Sequence, residues 1–303
     1  MFALSPDVAL ERLIVRRDTG PARSGGLADL QAPRSGLERC HRTIFISDVH
    51  LGTRGCKADR LHDFLVQNRC QTLYLVGDIV DGWRLQQQWY WPDAHSRVLR
   101  AILGMIDQGT RVIYVPGNHD EFFRSYCGRE VAGVSIMQEA VHRTADGREL
   151  LVIHGDRYDA TIVTARWLAR VGDLAYDLSQ AANEWCNAAR RALGLEYWSL
   201  AAYLKANFKK AVEYIGRYEE AVADDARARG FDGVVCGHIH HAAIKTIGGV
   251  VYHNDGDWVE SCTALVEDAR GHMEILRWAS VGTRTVPAAT ESATGELTSG
   301  FPA

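Results

Sequence analysis

The sequence predicts an α/β fold, and three observations predict it. Short β-branched runs alternate with stretches of helical period between residues 43 and 115. Their order, β-α-β-α-β, asks for adjacent parallel strands joined by crossover helices. The residues able to carry chemistry fall at the predicted strand ends, where open α/β sheets bind ligands.

Each element has a local reason. Residues 43–47 (TIFIS), 72–76 (TLYLV) and 111–115 (RVIYV) are β-branched and apolar, and read as strands. Residues 59–67 read as a helix. Residues 94–107 read as another, with Val98, Ile102, Met105 and Ile106 at helical spacing. Further strands are expected at 133–137, 139–144 and 150–153. A long helical block follows over about 160–230. Trp167, Leu168, Val171, Leu174, Ala175 and Leu178 line one of its faces, and Trp198, Tyr203, Leu204, Phe208, Val212 and Ile215 a later one. Strands are expected again at 233–236, 243–247, 250–253, 258–265 and 273–276. Residues 1–40 and 280–303 show no sustained period and read as a disordered leader and tail. The folded domain is therefore expected over 41–279, with the helical block as an insert.

Composition excludes several classes. The chain has 303 residues, a net charge of −4 and 47% hydrophobic residues, which is ordinary soluble usage. A dedicated nucleic-acid binder would carry a basic excess. No apolar run approaches the roughly 20 residues of a membrane span, and the first residues lack the pattern of a secretory signal. The 7 cysteines are scattered, odd in number and form no C-x-x-C. They are read as reduced thiols of a cytoplasmic protein rather than a disulfide framework or thiolate zinc site.

The chemistry-bearing motifs are Asp48-Val49-His50, Gly77-Asp78-Ile79-Val80-Asp81, Gly117-Asn118-His119-Asp120, His154-Gly155-Asp156 and Gly237-His238-Ile239-His240. Carboxylate, amide oxygen and imidazole together suit borderline divalent cations. Two cations roughly 3.5–4 Å apart need a shared carboxylate and separate ligands on each side. Strand alternation is expected to bring Asp48 and His50 to one side, and likewise His238 and His240. Asp81 is read equally as orienting a ligand or capping the next segment. The glycines are expected to leave room beside the backbone.

These motifs, in this order, resemble the calcineurin-like metallophosphoesterases. The resemblance implies a four-layer α/β/β/α sandwich with a helical lid insert. It also implies two divalent metal ions, manganese first, with iron or zinc as alternatives. Asp48, His50 and His240 would hold one ion, Asn118, His154 and His238 the other, and Asp78 would bridge them. The implied reaction is hydrolysis of a phosphoester by metal-activated water. His119 would act as the catalytic group that protonates the leaving oxygen or binds the transition state.

Within that superfamily the sequence is similar to the UDP-2,3-diacylglucosamine pyrophosphatases of lipid A synthesis. Chain length, F-I-S-D-V-H-L-G at the first strand, G-D-x-x-D-x-W through Trp83 and the position of the insert carry the likeness. That family's lid has an N-x-x-K that touches substrate, and Asn207 and Lys210 stand at the matching place. One departure is His119, where the family has arginine, which suits a bidentate clamp on a diphosphate. Arg124 or Arg157 are candidates for the missing charge. The readings are therefore a diphosphatase on a nucleotide-linked lipid sugar, a metallophosphoesterase with another phospholipid, nucleotide or phosphomonoester substrate, and a non-catalytic scaffold. All seven ligand positions are filled, which disfavours the last. Peripheral contact with the inner face of the inner membrane would follow from an acylated substrate, with Arg190, Arg191, Lys205, Lys209 and Lys210 as candidate contacts. No nucleic-acid partner is expected, and the oligomeric state is left open.

Overall fold

The structure, a computed structural model, describes residues 39–158, 200–278 and 284–286, with side chains over 39–158 and 211–278. Its elements in chain order begin with β1 (Arg39–Ile46), α1 (Ala58–Gln67), β2 (Asn68–Val76), α2 (Gly82–Gln87), α3 (Asp93–Asp107) and β3 (Arg111–Val115). Then come a 3-10 turn (Glu121–Tyr126), β4 (Arg129–Val131), β5 (Val134–Ile136), β6 (Ala140–Arg143), β7 (Glu149–Val152) and a second 3-10 turn (Asp156–Tyr158). The remainder are α4 (Leu200–Ala228), β8 (Gly233–Cys236), β9 (Ala243–Ile247), β10 (Val250–Asn254), β11 (Thr263–Glu267), β12 (Met273–Arg277) and β13 (Arg284–Val286).

Two sheets result. One has eight strands in the order β13-β12-β11-β1-β2-β3-β5-β4, with β1, β2 and β3 parallel as the sequence order requires. The other has five, in the order β6-β7-β8-β10-β9. Strand alternation then builds three apolar layers. Ile44 and Ile46 of β1, with Leu73, Leu75 and Val112, face Leu61 and Phe64 of α1 and Val98 and Ile102 of α3. Phe45, Tyr74, Val76, Ile113 and Val115 point the other way and meet Leu150, Val152 and Val235 between the sheets. Leu151, Ile153 and Val234 are covered by Tyr218, Val222 and Ala226 of α4. This is the expected four-layer α/β/β/α sandwich. Strands buried on both faces explain why β1, β2 and β3 read as unbroken apolar runs.

The structure differs from the sequence reading in several places. The strand expected at 258–265 begins only at Thr263, because the Asp257 carboxylate accepts from the amides of Val259 (2.8 Å) and Ser261 (3.2 Å) and closes a turn there. The run at 133–137 is one arm of the β4–β5 hairpin, turned at Ala132 and Gly133, both with positive φ. Helix α2 was not expected; the Asp81 side chain caps it. β1 starts at Arg39, and β13 pairs with β12 inside the stretch read as the tail. The first apolar face of the helical block, from Trp167 to Leu178, lies outside the described residues. Among the described cysteines all are free, and Cys70, Cys236 and Cys262 are buried; Cys186 lies outside them.

Candidate metal centre

The loops that follow β1, β2, β3, β7 and β8 converge at one edge of the sandwich. Residues 48–51 and 77–80 run side by side, as Asp48 N–H donates to the Gly77 carbonyl (3.1 Å) and His50 N–H to that of Asp78 (2.9 Å). The 117–120 loop joins them, since Gly82 N–H donates to the His119 carbonyl (2.9 Å).

Asp48, His50, Asp78, His238 and His240 all lie past the ends of their strands with φ between 49° and 70°. Strand alternation therefore does not align these pairs, contrary to the sequence reading; left-handed backbone does. Among the described residues only Ala132 and Cys262 share this non-glycine conformation. Each such residue costs about 1–3 kcal/mol, and such strain persists where the surrounding fold over-determines it, often at functional sites.

That backbone brings six of the seven expected ligands into two adjoining triads, Asp48/His50/His240 and Asp78/His154/His238, with ligand atoms within 4.8 Å of one another in each. Nε2 of His240 lies 2.9 Å from Oδ1 of Asp48, and Nε2 of His154 lies 3.5 Å from Oδ1 of Asp78. Nε2 of His50 is 3.8 Å from both Asp48 and Asp78, so Asp78 reaches toward both triads. Asn118 follows Gly117, whose backbone passes beside the second triad: a Cβ on Gly117 would fall on the Asp78 and His154 side chains. Asp78 Oδ2, Asn118 Oδ1 and His154 Nε2 are buried and accept no hydrogen bond within the fold. Buried polar atoms are normally paired, so these unpartnered atoms fit a cation. Ring orientation supports the same fit. Nδ1 of His154 faces the Val76 carbonyl at 2.9 Å, and a carbonyl can only accept, so this nitrogen donates and Nε2 is the one at which a cation would take the place of a proton.

A calcineurin-like phosphoesterase family model matches residues 41–242, two thirds of the chain. The chain is a calcineurin-like phosphoesterase. Two curated relatives are named UDP-2,3-diacylglucosamine hydrolase: that of Xanthomonas oryzae pv. oryzae strain PXO99A is 30% identical, covering 76% of this chain and 96% of its own. That of Klebsiella pneumoniae is 26% identical, covering 68% and 84%. Among solved structures, the E. coli phosphoesterase Yfce aligns with a TM-score of 0.39 and 12% identity, over 81% of this chain and 99% of its own.

The electrostatics of this cluster favour positive charge. Burial opposes ionisation of Asp48, yet His240, His50 and His154 hold its carboxyl well below the usual range. Burial likewise opposes charge on His50, but Asp48, Asp81 and Asp78 raise it to about 9. His154 is raised to about 10 against its burial, chiefly by Asp78. A field that binds protons this firmly also attracts metal cations, which compete with them.

Asp81 does both things the sequence allowed. Its Oδ1 accepts from Arg84 N–H at 2.9 Å and caps α2, while Oδ2 lies 3.2 Å from Nδ1 of His50 and 3.0 Å from Nδ1 of His119. His50, Asp81 and His119 thus form a third close group, but the hydrogen bond to Nδ1 of His50 marks Asp81 as the carboxylate that orients that ring. His119 is half-buried, edge-on to His50 (4.7 Å) and tilted against the exposed Trp83 ring (4.5 Å). Asp120 is a brace: it accepts from Ile79 N–H (2.7 Å), Gly117 N–H (2.6 Å) and the Tyr114 hydroxyl.

The two arginines expected as candidates for the missing charge are engaged in ion pairs. Arg157 is held by Asp225 (2.8 Å) and Glu139 (3.4 Å), and Arg124 by Asp156 (2.6 Å). Asn207 and Lys210 are on α4, about three and two helical turns before Tyr218, whose ring is 6.0 Å from that of His238. Their side chains lie outside the described ones. No helix among the described residues is long and apolar enough to cross a membrane. The sequence reading missed Ser47 and Asp255, buried directly behind Asp48. The signal was the polar run Asn254-Asp255-Gly256-Asp257 closing an apolar strand.

Proposed function

We propose that the chain is a dinuclear metal phosphoester hydrolase that cleaves the diphosphate of UDP-2,3-diacylglucosamine or a similar nucleotide-linked lipid sugar. The observation that carries the chemistry is the pair of adjoining triads with Asp78 between them. Asp48, His50 and His240 would hold one ion, Asn118, His154 and His238 the other, with Asp78 shared; manganese is the first candidate. When bound, such cations polarise phosphoryl oxygens and activate water for in-line attack. The substrate comes from the likeness to the named relatives.

The protein's own groups then have defined tasks. Asp81 fixes the His50 ring through Nδ1 and stands 3.0 Å from Nδ1 of His119. His119, with Nδ1 toward Asp81, presents Nε2 on the side of Asp78, at 3.9 Å from Oδ2. From there it supplies a proton or a hydrogen bond to the leaving oxygen. Asn207 and Lys210 on α4 would meet the more distant part of the substrate. Work on an acylated substrate would place the enzyme at the inner face of a bilayer, in lipid A synthesis.

A second reading has its own support. His119 offers one hydrogen bond where a diphosphate clamp would use arginine, and Arg124 and Arg157 are both engaged in ion pairs. That arrangement suits a single phosphoryl group, as in a phosphomonoester or phosphodiester. The test is hydrolysis by the purified enzyme with added Mn²⁺ of a panel holding UDP-2,3-diacylglucosamine, nucleotides and simple phosphodiesters. Turnover of the lipid-linked diphosphate above the rest supports the first reading. Turnover of another phosphoester, with the diphosphate untouched, replaces it by the second. Failure on all, with no metal bound, would sink both.

A further inference from the structure

Behind Asp48 lies an arrangement with too few protons. The Ser47 hydroxyl has three oxygen neighbours: Oδ2 of Asp48 at 2.7 Å, Oδ1 of Asp255 at 2.6 Å and the Gly256 carbonyl at 3.1 Å. A hydroxyl carries one hydrogen. If both carboxyls were ionised, one short oxygen–oxygen contact would hold no proton and oppose two sets of lone pairs. Asp255 is fully buried, and its Oδ2 accepts no hydrogen bond within the fold. A neutral carbonyl oxygen tolerates that isolation far better than half of a charged carboxylate.

We propose that Asp255 is a protonated positioning residue: its carboxylic O–H donates to Ser47, and Ser47 donates to Oδ2 of Asp48. The relay supplies the missing hydrogen and runs in one direction. Oδ2 of Asp48 also accepts from the His238 amide at 2.7 Å, so this oxygen is occupied from behind by two donors. Oδ1 is left facing His240 at 2.9 Å, on the side of the metal triad. Ionised Asp48 and His154 are the charged groups acting on Asp255; burial and then the Asp48 charge keep its proton on, partly offset by Ser47 and His154. Gly237 completes the pocket, since a Cβ there would strike Ser47 and Asp48. Asp255 touches no substrate; it acts through Ser47 on the orientation of a ligand oxygen. Its effect on metal binding rests on the two-metal reading, whereas its protonation does not.

The test combines infrared spectroscopy with Mn²⁺ calorimetry on the full chain. An infrared difference spectrum of wild type against Asp255→Asn should contain the carbonyl band of a protonated carboxylic acid at neutral pH. Asp255→Leu and Ser47→Ala should each weaken Mn²⁺ binding about ten- to a hundredfold, the usual cost of losing an outer partner of a ligand. Asp255→Asn, whose amide also donates to Ser47, should restore affinity to within about threefold of wild type, a rescue that a role in packing alone does not predict. Absence of the acid band, or an Asp255→Asn variant as impaired as Asp255→Leu, would overturn the proposal. If Asp255→Leu does not fold, Ser47→Ala and the infrared band still decide it. A wild-type protein that binds no Mn²⁺ would overturn the metal reading and the positioning role together, while the band would still report the proton.

Discussion

Nδ1 of His154 donates to the carbonyl oxygen of Val76 across 2.9 Å, and this single bond turns Nε2 of the same ring toward Asp78. The donor nitrogen is settled by the acceptor, and the opposite nitrogen is left buried without a hydrogen-bond partner. Replacing His154 with alanine removes that nitrogen and leaves the Val76 carbonyl without its side-chain donor. Mn²⁺ affinity should fall by about a hundredfold or more, beyond the usual loss for an outer partner. Calorimetric titration of the variant checks this; unchanged binding would mean that His154 is not a ligand.

Gly117 is required by space. A Cβ at this position falls on the Asp78 carboxylate and the His154 ring. Gly117→Ala should cost about 1–3 kcal/mol in urea unfolding, as overpacking does, and should lose hydrolytic activity by displacing two ligands. A stable, fully active variant would show that the 117–120 loop can move away from the centre.

His119 and Asp81 separate proton transfer from metal binding. His119→Ala should lower kcat by about 10²–10⁴-fold, the range for a general acid, with metal content unchanged. Asp81→Asn loosens His50 and removes the charge beside His119, and should reduce kcat and metal affinity together. Loss of metal from His119→Ala, measured by elemental analysis, would instead make that residue a ligand.

Much of this centre is legible in the sequence. Asp48, His50, Asp78, Asn118, His154, His238 and His240 are polar residues placed directly after apolar strands, a position where structure alone rarely calls for them. The layers are legible too, because β1 to β3 are unbroken apolar runs and α3 has a clean helical period. What the sequence hides is backbone conformation. Asp48 and His240 are displayed by left-handed φ values that no spacing rule reveals. Asp255 is equally hidden, because a carboxyl in a turn reads as solvated until packing buries it. The strand expected from Trp258 failed for a similar reason: Trp258 is buried, but Asp257 has already turned the chain.

Away from the centre, Glu267 sets an acid limit on stability. It is buried and accepts from Arg42 (2.7 Å), Thr43 (2.7 Å), His142 (2.9 Å) and the Ala145 amide (2.7 Å). Burial opposes its charge, but His142, Thr43, Ala145 and Arg42 together lower it from 4.5 to about 2. A depressed carboxyl stabilises the fold fully above its unfolded value and loses that contribution as pH falls through its folded value. Glu267→Gln should therefore cost about 3–5 kcal/mol at pH 7, as breaking a buried pair does. Its deficit relative to wild type should shrink as pH falls from 4.5 toward 2. Urea unfolding of both proteins at several pH values checks the sign; a deficit that grows on acidification would contradict it.

The two triads meet at Asp78, and metal stoichiometry tests that sharing most directly. Mn²⁺ titration of the wild-type chain by calorimetry, compared with Asp78→Ala, should give two equivalents for wild type. The variant should lose tight binding of both, because one carboxylate serves both sites. One equivalent in wild type, or two retained in Asp78→Ala, would contradict a dinuclear centre bridged by this residue.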